Sequence, residues 1–432
     1  MIVSARRVFG HGAALALLVI GPLVRGQAPR IEITPDTVLL DERFSVAVDG
    51  VTPDKDVTIR VEDGRGVFHS SSTVRSDGRG HVDVADPMRL IWSAKGDRQA
   101  APTGAAPGGP TPLQKWIFTA ELSGNAVATG TLTRRAVAEG VRIVPVRERG
   151  LVGTAYYPAD SGRRPAMIVL PGSNGGIPGP AQFPGGLASH GYVVLALAYF
   201  NADGLPPLLQ NVPLEYFATA VDWLKSQPLV DPERVGVLGT SRGGELALLL
   251  GATFPPAFRV VVANVPSGVI WPGLSDDSPE PAWTLNGKPL WGMQGRFTRA
   301  DLELSSRERF LRRMTDTAAL RRAEIPVERI NGPLLMFSAK DDQVWPSDIF
   351  AARVVERLKE RKFERPVEHY TYDHAGHGIA RPYVVTSDVR EVRLHPVSKR
   401  PMMTGGTPEG QAHANEDSWA RLLAFLDKYL RN

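Results

Sequence analysis

The chain has 432 residues, a length that suits two domains, and its 43% hydrophobic and 22% charged residues, with 43 Gly and 36 Pro spread along it, exclude disordered and collagen-like classes. Lys and Arg number 50 against 46 Asp and Glu, a formal net charge of +4, and neither sign gathers into the blocks that mark nucleic-acid arms or acidic tails. There are no cysteines, which excludes disulfides, thiolate catalysis and thiolate metal sites.

The opening MIVSARRVFGHGAALALLVIGPLVRGQA sets Arg6 and Arg7 ahead of an apolar run, Ala13 to Val24, that is interrupted by Pro22. The run is shorter than the about 20 residues of a bilayer span, so the layout predicts a secretory signal over residues 1–28. The mature chain is then expected to be exported, periplasmic or secreted, without a stable membrane span. An uncleaved anchor is the alternative.

From Ile31 to about Arg135 the segments IEITP, FSVAVDG, DVTIRVEDG, HVDVAD and KWIFTAELSG are short, β-branched and partly alternating, with turn residues between them. They predict an all-β, immunoglobulin-like sandwich over 29–140, interrupted by a Pro/Gly/Ala-rich excursion at 94–114. After GVRIVPVRERGLVGTAYYP the rhythm changes to apolar strands alternating with helices, the signature of a mostly parallel sheet flanked by helices over 141–432. MIVLPG, VVLALAYF, RVGVLG, RVVVANV, PLLMFSA and VEHYTY read as its strands. PLEYFATAVDWLKSQ, GELALLLGATF and EDSWARLLAFLDKYL carry helical periodicity. The stretch 266–330, which holds Trp271, Trp283 and Trp291, is longer than a connection needs and reads as a lid or pocket wall.

Gly239-Thr240-Ser241-Arg242-Gly243 is a G-x-S-x-G pentapeptide between a predicted strand and a predicted helix. A nucleophile elbow requires this context, because strand and helix approach closely around a strained turn that lifts the hydroxyl above the sheet. A serine needs a base to take its proton and a third group to hold that base. Downstream, strand PLLMFSA runs into Asp341 and Asp342, and strand VEHYTY runs into His374 and His377, in the order Ser, acid, His that a hydrolase sheet requires. His377, between Gly376 and Gly378, is the candidate base, with His374 its rival. Asp342 is the candidate acid, closed by Trp345 and Pro346, with Asp341 the alternative. The oxyanion of the tetrahedral intermediate needs two backbone N–H donors. One is expected from Arg242 and the other from Ser173 or Asn174 in LPGSNGGIPG. No Gly-Lys-Ser/Thr follows that stretch, which disfavours a phosphate loop.

With these residues placed, the chain resembles the acyl-CoA thioester hydrolase and bile-acid-CoA:amino-acid N-acyltransferase family. The motifs that carry the resemblance are DPMRLIWS, ERGLVGTAYYP, LPGSNGG, HGYVVLALAYFNADGLP, VPLEYFATAVDWL, VGVLGTSRGGELAL, IPVERINGPLLMFSAKDDQVWPS and GGTPEGQAHANEDSWARLLAFL. The resemblance implies a β-sandwich followed by an α/β-hydrolase domain, with a nucleophile, Asp and His triad that falls on Ser241, Asp342 and His377. Members that conjugate amino acids use a cysteine nucleophile; this chain has serine, which favours hydrolysis. Coenzyme A thioesters are intracellular, in conflict with the leader.

The expected function is therefore hydrolysis of an acyl thioester, or of a small-molecule ester with an apolar acyl part, by a serine hydrolase. A carboxylic-ester, lactone or peptide substrate on the same triad is the alternative, and a catalytically silent binding protein is the reading from another class. No H-E-x-x-H or G-x-G-x-x-G pattern is present, so no metal or cofactor is expected, and no nucleic-acid partner.

Overall fold

The computed structural model describes Met1 and residues 28–96, 113–274, 280–293, 299–379 and 382–432. The expected signal lies almost wholly outside the described residues, as does most of the 94–114 excursion.

In the N-terminal region the strands are β1 (Arg30–Thr34), β2 (Thr37–Leu39), β3 (Ser45–Asp49), β4 (Asp56–Asp63), β5 (Phe68–Arg75), β6 (Val82–Asp83), β7 (Lys95–Gly96), β8 (Gln114–Leu122) and β9 (Asn125–Arg135). They form one sheet in the order β1-β3-β6 and another in the order β2-β9-β8-β4-β5-β7. The alternation in β4 shows why: Val57, Ile59 and Val61 are buried, while Asp56, Arg60 and Glu62 are exposed. Val46 and Val48 from the first sheet and Ile59 and Phe118 from the second share one core. The region is not wholly β. Between β6 and β7 a helix, α1 (Pro87–Trp92), starts where the Asp86 side chain accepts the Arg89 N–H and Pro87 occupies the first turn.

The second part holds β10 (Arg142–Val146), β11 (Val152–Tyr157), β12 (Arg164–Leu170), α2 (Phe183–Ser189), β13 (Val193–Ala198), β14 (Val212–Pro213), α3 (Glu215–Lys225), β15 (Val230–Thr240), α4 (Arg242–Thr253) and β16 (Val260–Asn264). It continues through β17 (Trp283–Leu285), β18 (Lys288–Leu290), α5 (Arg299–Leu302), α6 (Ser306–Arg313), α7 (Thr317–Ala323), β19 (Leu334–Ala339), α8 (Ser347–Glu360), β20 (Val367–Tyr372), two short strands β21 (Arg393–Leu394) and β22 (Pro401–Met402), and α9 (Pro408–Leu426). Eight strands make one sheet in the order β10-β11-β13-β12-β15-β16-β19-β20. β10, β11 and β13 pair antiparallel, and every pairing from β13 to β20 is parallel. This is an α/β-hydrolase sheet. Its central strands β12, β13, β16 and β19 are continuous apolar runs buried along almost their whole length, as strands covered by helices on both faces must be.

The segment after β20 reaches back to the N-terminal region. Arg134 on β9, fully buried, donates to the Tyr383 carbonyl at 2.9 Å. The Thr386 N–H donates to the Trp92 carbonyl at 2.8 Å and the Ser387 hydroxyl to the Ala94 carbonyl at 2.6 Å. Trp271 and Trp283, at 4% and 0% exposure, are packed inside apolar clusters, whereas Trp291 is 53% exposed. Two of the three tryptophans of 266–330 therefore serve packing rather than an open cleft.

Candidate active site

Ser241 stands between β15 and α4 with φ 59° and ψ −120°, a region that residues with a β-carbon rarely occupy and that costs about 1–3 kcal/mol. The turn can close only because two glycines flank it. A β-carbon at Gly239 would lie 1.8 Å from the Gly243 carbonyl oxygen, and one at Gly243 would lie 2.3 Å from that of Pro171. The Ser241 N–H donates to the Asn264 carbonyl at 2.8 Å, and the Ser241 carbonyl accepts from Glu245 N–H at 3.0 Å to start α4. Because the obstacle at Gly243 is backbone, Gly243→Ala is expected to destabilise the fold by about 3 kcal/mol. The check is a lower urea midpoint at an unchanged m value.

Asp342 and His377 come from the loops that follow β19 and β20 and meet at 2.8 Å between Asp342 Oδ2 and His377 Nδ1. The carboxylate is wholly buried, and its other oxygen accepts the N–H groups of Val344 at 3.0 Å and Trp345 at 3.2 Å. The Trp345 ring stands edge-on to the His377 ring at 5.8 Å. Three contacts fix the histidine loop: His377 N–H to the Thr404 carbonyl at 2.9 Å, Gly376 N–H to Gln411 Oε1 at 2.9 Å, and Asn264 Nδ2 to the Ile379 carbonyl at 2.7 Å. Asn264 thus holds the elbow with its carbonyl and the histidine loop with its side chain. Asp341 points elsewhere, to Gln343 Nε2, Arg390 Nη2 and the Gly406 N–H. His374 is exposed, and its carbonyl accepts from Thr407 N–H at 2.8 Å.

The loop after β12 closes over the elbow. A β-carbon at Gly172 would be 3.7 Å from Ser241 Oγ, and the Gly175 N–H to Gly172 carbonyl bond of 3.1 Å makes a tight turn with Ser173 and Asn174 at its tip. Ser173 is partly buried and Asn174 is exposed, its carbonyl accepting from Asn201 Nδ2 at 2.8 Å. The Ser173 hydroxyl meets His395 Nε2 at 2.8 Å, a residue that no sequence pattern singled out.

The Arg242 side chain turns inward. Its guanidinium pairs with Glu245 at 2.9 Å and donates to the carbonyls of Trp271 at 3.0 Å and Pro272 at 3.1 Å. Burial pushes the Glu245 carboxyl up to about 7, against the pull of Arg242 and of the Trp283 indole N–H at 3.0 Å. This pair ties the helix after the elbow to 266–330. The signal was available in GELALLLG: a charge inside a helix buried on all sides requires a partner, here one turn earlier. Glu245→Ala leaves the buried Arg242 guanidinium and the Trp283 indole N–H without their acceptor and is expected to cost about 3–5 kcal/mol, measured by chemical unfolding.

Among the described residues no group of three or more His, Asp and Glu could hold a metal ion, and no helix is long and apolar enough to cross a membrane.

The profile described as BAAT / Acyl-CoA thioester hydrolase C terminal matches residues 212–432, and that of the Acyl-CoA thioester hydrolase/BAAT N-terminal region matches 41–148. Acyl-coenzyme A thioesterase 6 of Mus musculus is 31% identical over 90% of this chain and 94% of its own. Acyl-coenzyme A thioesterase 1 of Homo sapiens is 29% identical over 90% of this chain and 94% of its own. Among solved structures, an alpha/beta hydrolase enzyme from a Medee basin deep-sea metagenome library overlays 68% of this chain and 99% of its own, at 18% identity and a TM-score of 0.41.

Proposed function

Because the chain belongs to the acyl-CoA thioester hydrolase and bile-acid-CoA:amino-acid N-acyltransferase family, we propose that it hydrolyses acyl thioesters through an acyl-enzyme on Ser241, with His377 as base and Asp342 as its orienting acid. The observation that carries the reading is the 2.8 Å contact of His377 Nδ1 with the buried Asp342 carboxylate, at the end of the sheet where Ser241 leaves β15. With its Nδ1 proton donated to Asp342, the ring keeps Nε2 free to accept a proton.

In this mechanism Ser241 Oγ bonds to the acyl carbon while its proton passes to His377 Nε2. The oxyanion is received by the backbone N–H groups of Arg242 and Ser173, the latter preferred because Asn174 is exposed. Collapse breaks the C–S bond, and the thiol leaves with the proton from His377. Water then repeats the cycle on the acyl-enzyme, regenerating Ser241 and releasing the acid. The serine nucleophile supports hydrolysis over transfer to an amine. The reading divides the chain near residue 140 and takes 266–330 as a wall of the acyl pocket.

The opening of the chain favours a second reading, an exported esterase on the same residues, because acyl-CoA does not meet an exported protein. The experiment compares acyl-CoAs of several chain lengths with p-nitrophenyl esters of the same acids, using the wild type and Ser241→Ala. Thioester preference abolished by the substitution supports the first reading; ester preference abolished by it supports the second. Cell fractionation with N-terminal sequencing is expected to find the mature protein outside the cytoplasm, starting near residue 29. A full-length cytoplasmic product would remove the signal reading and, with it, the objection to CoA substrates.

A further inference from the structure

Ser173 and His395 lie 222 positions apart in the chain, and their side chains meet at 2.8 Å between Oγ and Nε2. Which of the two donates is decided on the other side of the ring. His395 Nδ1 lies 3.2 Å from the Val397 nitrogen and 3.0 Å from the Ser398 nitrogen. A backbone N–H can only donate, so Nδ1 accepts both. A neutral imidazole carries its one proton on the nitrogen that does not accept, which here is Nε2. Nε2–H therefore donates to the Ser173 oxygen.

The ring has little freedom to change this. It is 8% exposed, its own N–H donates to the Arg400 carbonyl at 2.8 Å, and its carbonyl accepts from Lys399 N–H at 2.9 Å. A second proton at Nδ1 would face two N–H donors. Burial first, and then the neighbouring Lys399 and any positive charge taken up by His377, makes His395 harder to protonate than an ordinary histidine. This polarity also argues against a second Ser–His nucleophile pair, because an Nε2 that already carries a proton cannot take one from Ser173.

With its oxygen accepting from His395, the Ser173 hydroxyl still has a hydrogen to place, and among the described residues it has no acceptor. The turn that carries it brings Gly172 against the elbow, with a β-carbon position 3.7 Å from Ser241 Oγ. We propose that the Ser173 hydroxyl is a further donor to the oxyanion formed at Ser241, and that His395 is a positioning residue that orients it. The proposal rests on Ser241 being the nucleophile. It adds a side-chain donor to the two backbone ones, and it explains why a neutral, buried histidine sits beside the base without being the base.

The test uses the full chain, a p-nitrophenyl ester as substrate, a trifluoromethyl ketone that forms a hemiketal oxyanion on the nucleophile, and a fluorophosphonate label. Ser173→Ala is expected to lower kcat about 10²-fold, the loss typical of one oxyanion donor, with KM nearly unchanged. It is expected to weaken the ketone by the factor lost in kcat/KM, while Ser173→Thr keeps most of the activity. His395→Ala is expected to lose kcat in the same sense, and the double variant Ser173→Ala with His395→Ala to be no slower than Ser173→Ala alone, because His395 acts through that hydroxyl. His395→Gln, whose amide N–H can replace Nε2–H, is expected to recover most of the loss.

Wild-type kcat in Ser173→Ala would overturn the proposal, as would additive losses in the double variant or a fluorophosphonate adduct on Ser173. Full activity in Ser241→Ala is a separate outcome, which removes the nucleophile assignment itself.

Discussion

Ser241→Ala and His377→Ala are each expected to lower kcat by about 10⁶-fold, the loss seen when either member of a serine–histidine pair is removed. Each is also expected to lose about as much as the double variant, since neither group can work without the other. Ser241→Ala should fold, because it deletes one oxygen and leaves both glycine contacts of the turn in place. His374→Ala should retain turnover, because that side chain is exposed. Single-turnover kinetics with a chromogenic ester measures all four, and fluorophosphonate labelling of the His377→Ala protein is expected to slow in parallel. Turnover near wild type in Ser241→Ala would end the acyl-enzyme reading.

Asp342→Asn is expected to lower kcat by about 10⁴-fold with little change in stability. The reason lies in the two oxygens of this carboxylate. Oδ1 accepts the Val344 and Trp345 N–H groups at 3.0 and 3.2 Å, and an asparagine carbonyl can continue to do so. The amide NH₂ then takes the place of Oδ2, 2.8 Å from His377 Nδ1. Facing a donor, Nδ1 must accept, the ring proton moves to Nε2, and the base can no longer take the proton of Ser241. Asp341→Asn removes a contact to exposed Arg390 and is expected to change kcat by less than about threefold, in keeping with the small worth of surface ion pairs. A kcat loss in Asp341→Asn that exceeded the loss in Asp342→Asn would reverse the assignment.

The parts of this site that could be read from the sequence are those whose chemistry is local. The runs MIVLPG, RVGVLG and PLLMFSA announce buried strands because a strand covered on both faces admits few polar residues. The elbow shows as a serine between glycines, because steric closure is a short-range demand. What could not be read depends on contacts across the chain. β10 and β11, inside GVRIVPVRERGLVGTAYYP, pair antiparallel at the margin of the sheet and lack the uninterrupted apolar run of the central strands. The closing helix was expected from Glu416, yet α9 begins at Pro408, capped by Thr407. Its first half is polar, and two of those polar residues are buried: Gln411 holds the Gly376 N–H, and Asn415 accepts from Gln411. Hydrophobic periodicity cannot reveal a helix face whose work is hydrogen bonding. His395 was hidden for the same reason, since nothing in RLHPVS indicates that Ser173 lies within 2.8 Å.

The bonds that Trp92, Ala94 and Arg134 make to Thr386, Ser387 and Tyr383 fall just after the loop that carries His377 and just before the one that carries His395. An irregular stretch between β20 and α9, with little ladder of its own, is thereby moored to a different layer of the molecule. Without those bonds it would sample many arrangements, and only a few of them set an imidazole to within tenths of an ångström. On the proposed mechanism the N-terminal region would lend precision rather than chemistry. Selection on turnover can then reach a residue such as Arg134, which moors the segment with its side chain, whereas the Trp92 and Ala94 bonds are made by backbone carbonyls that any substitution keeps.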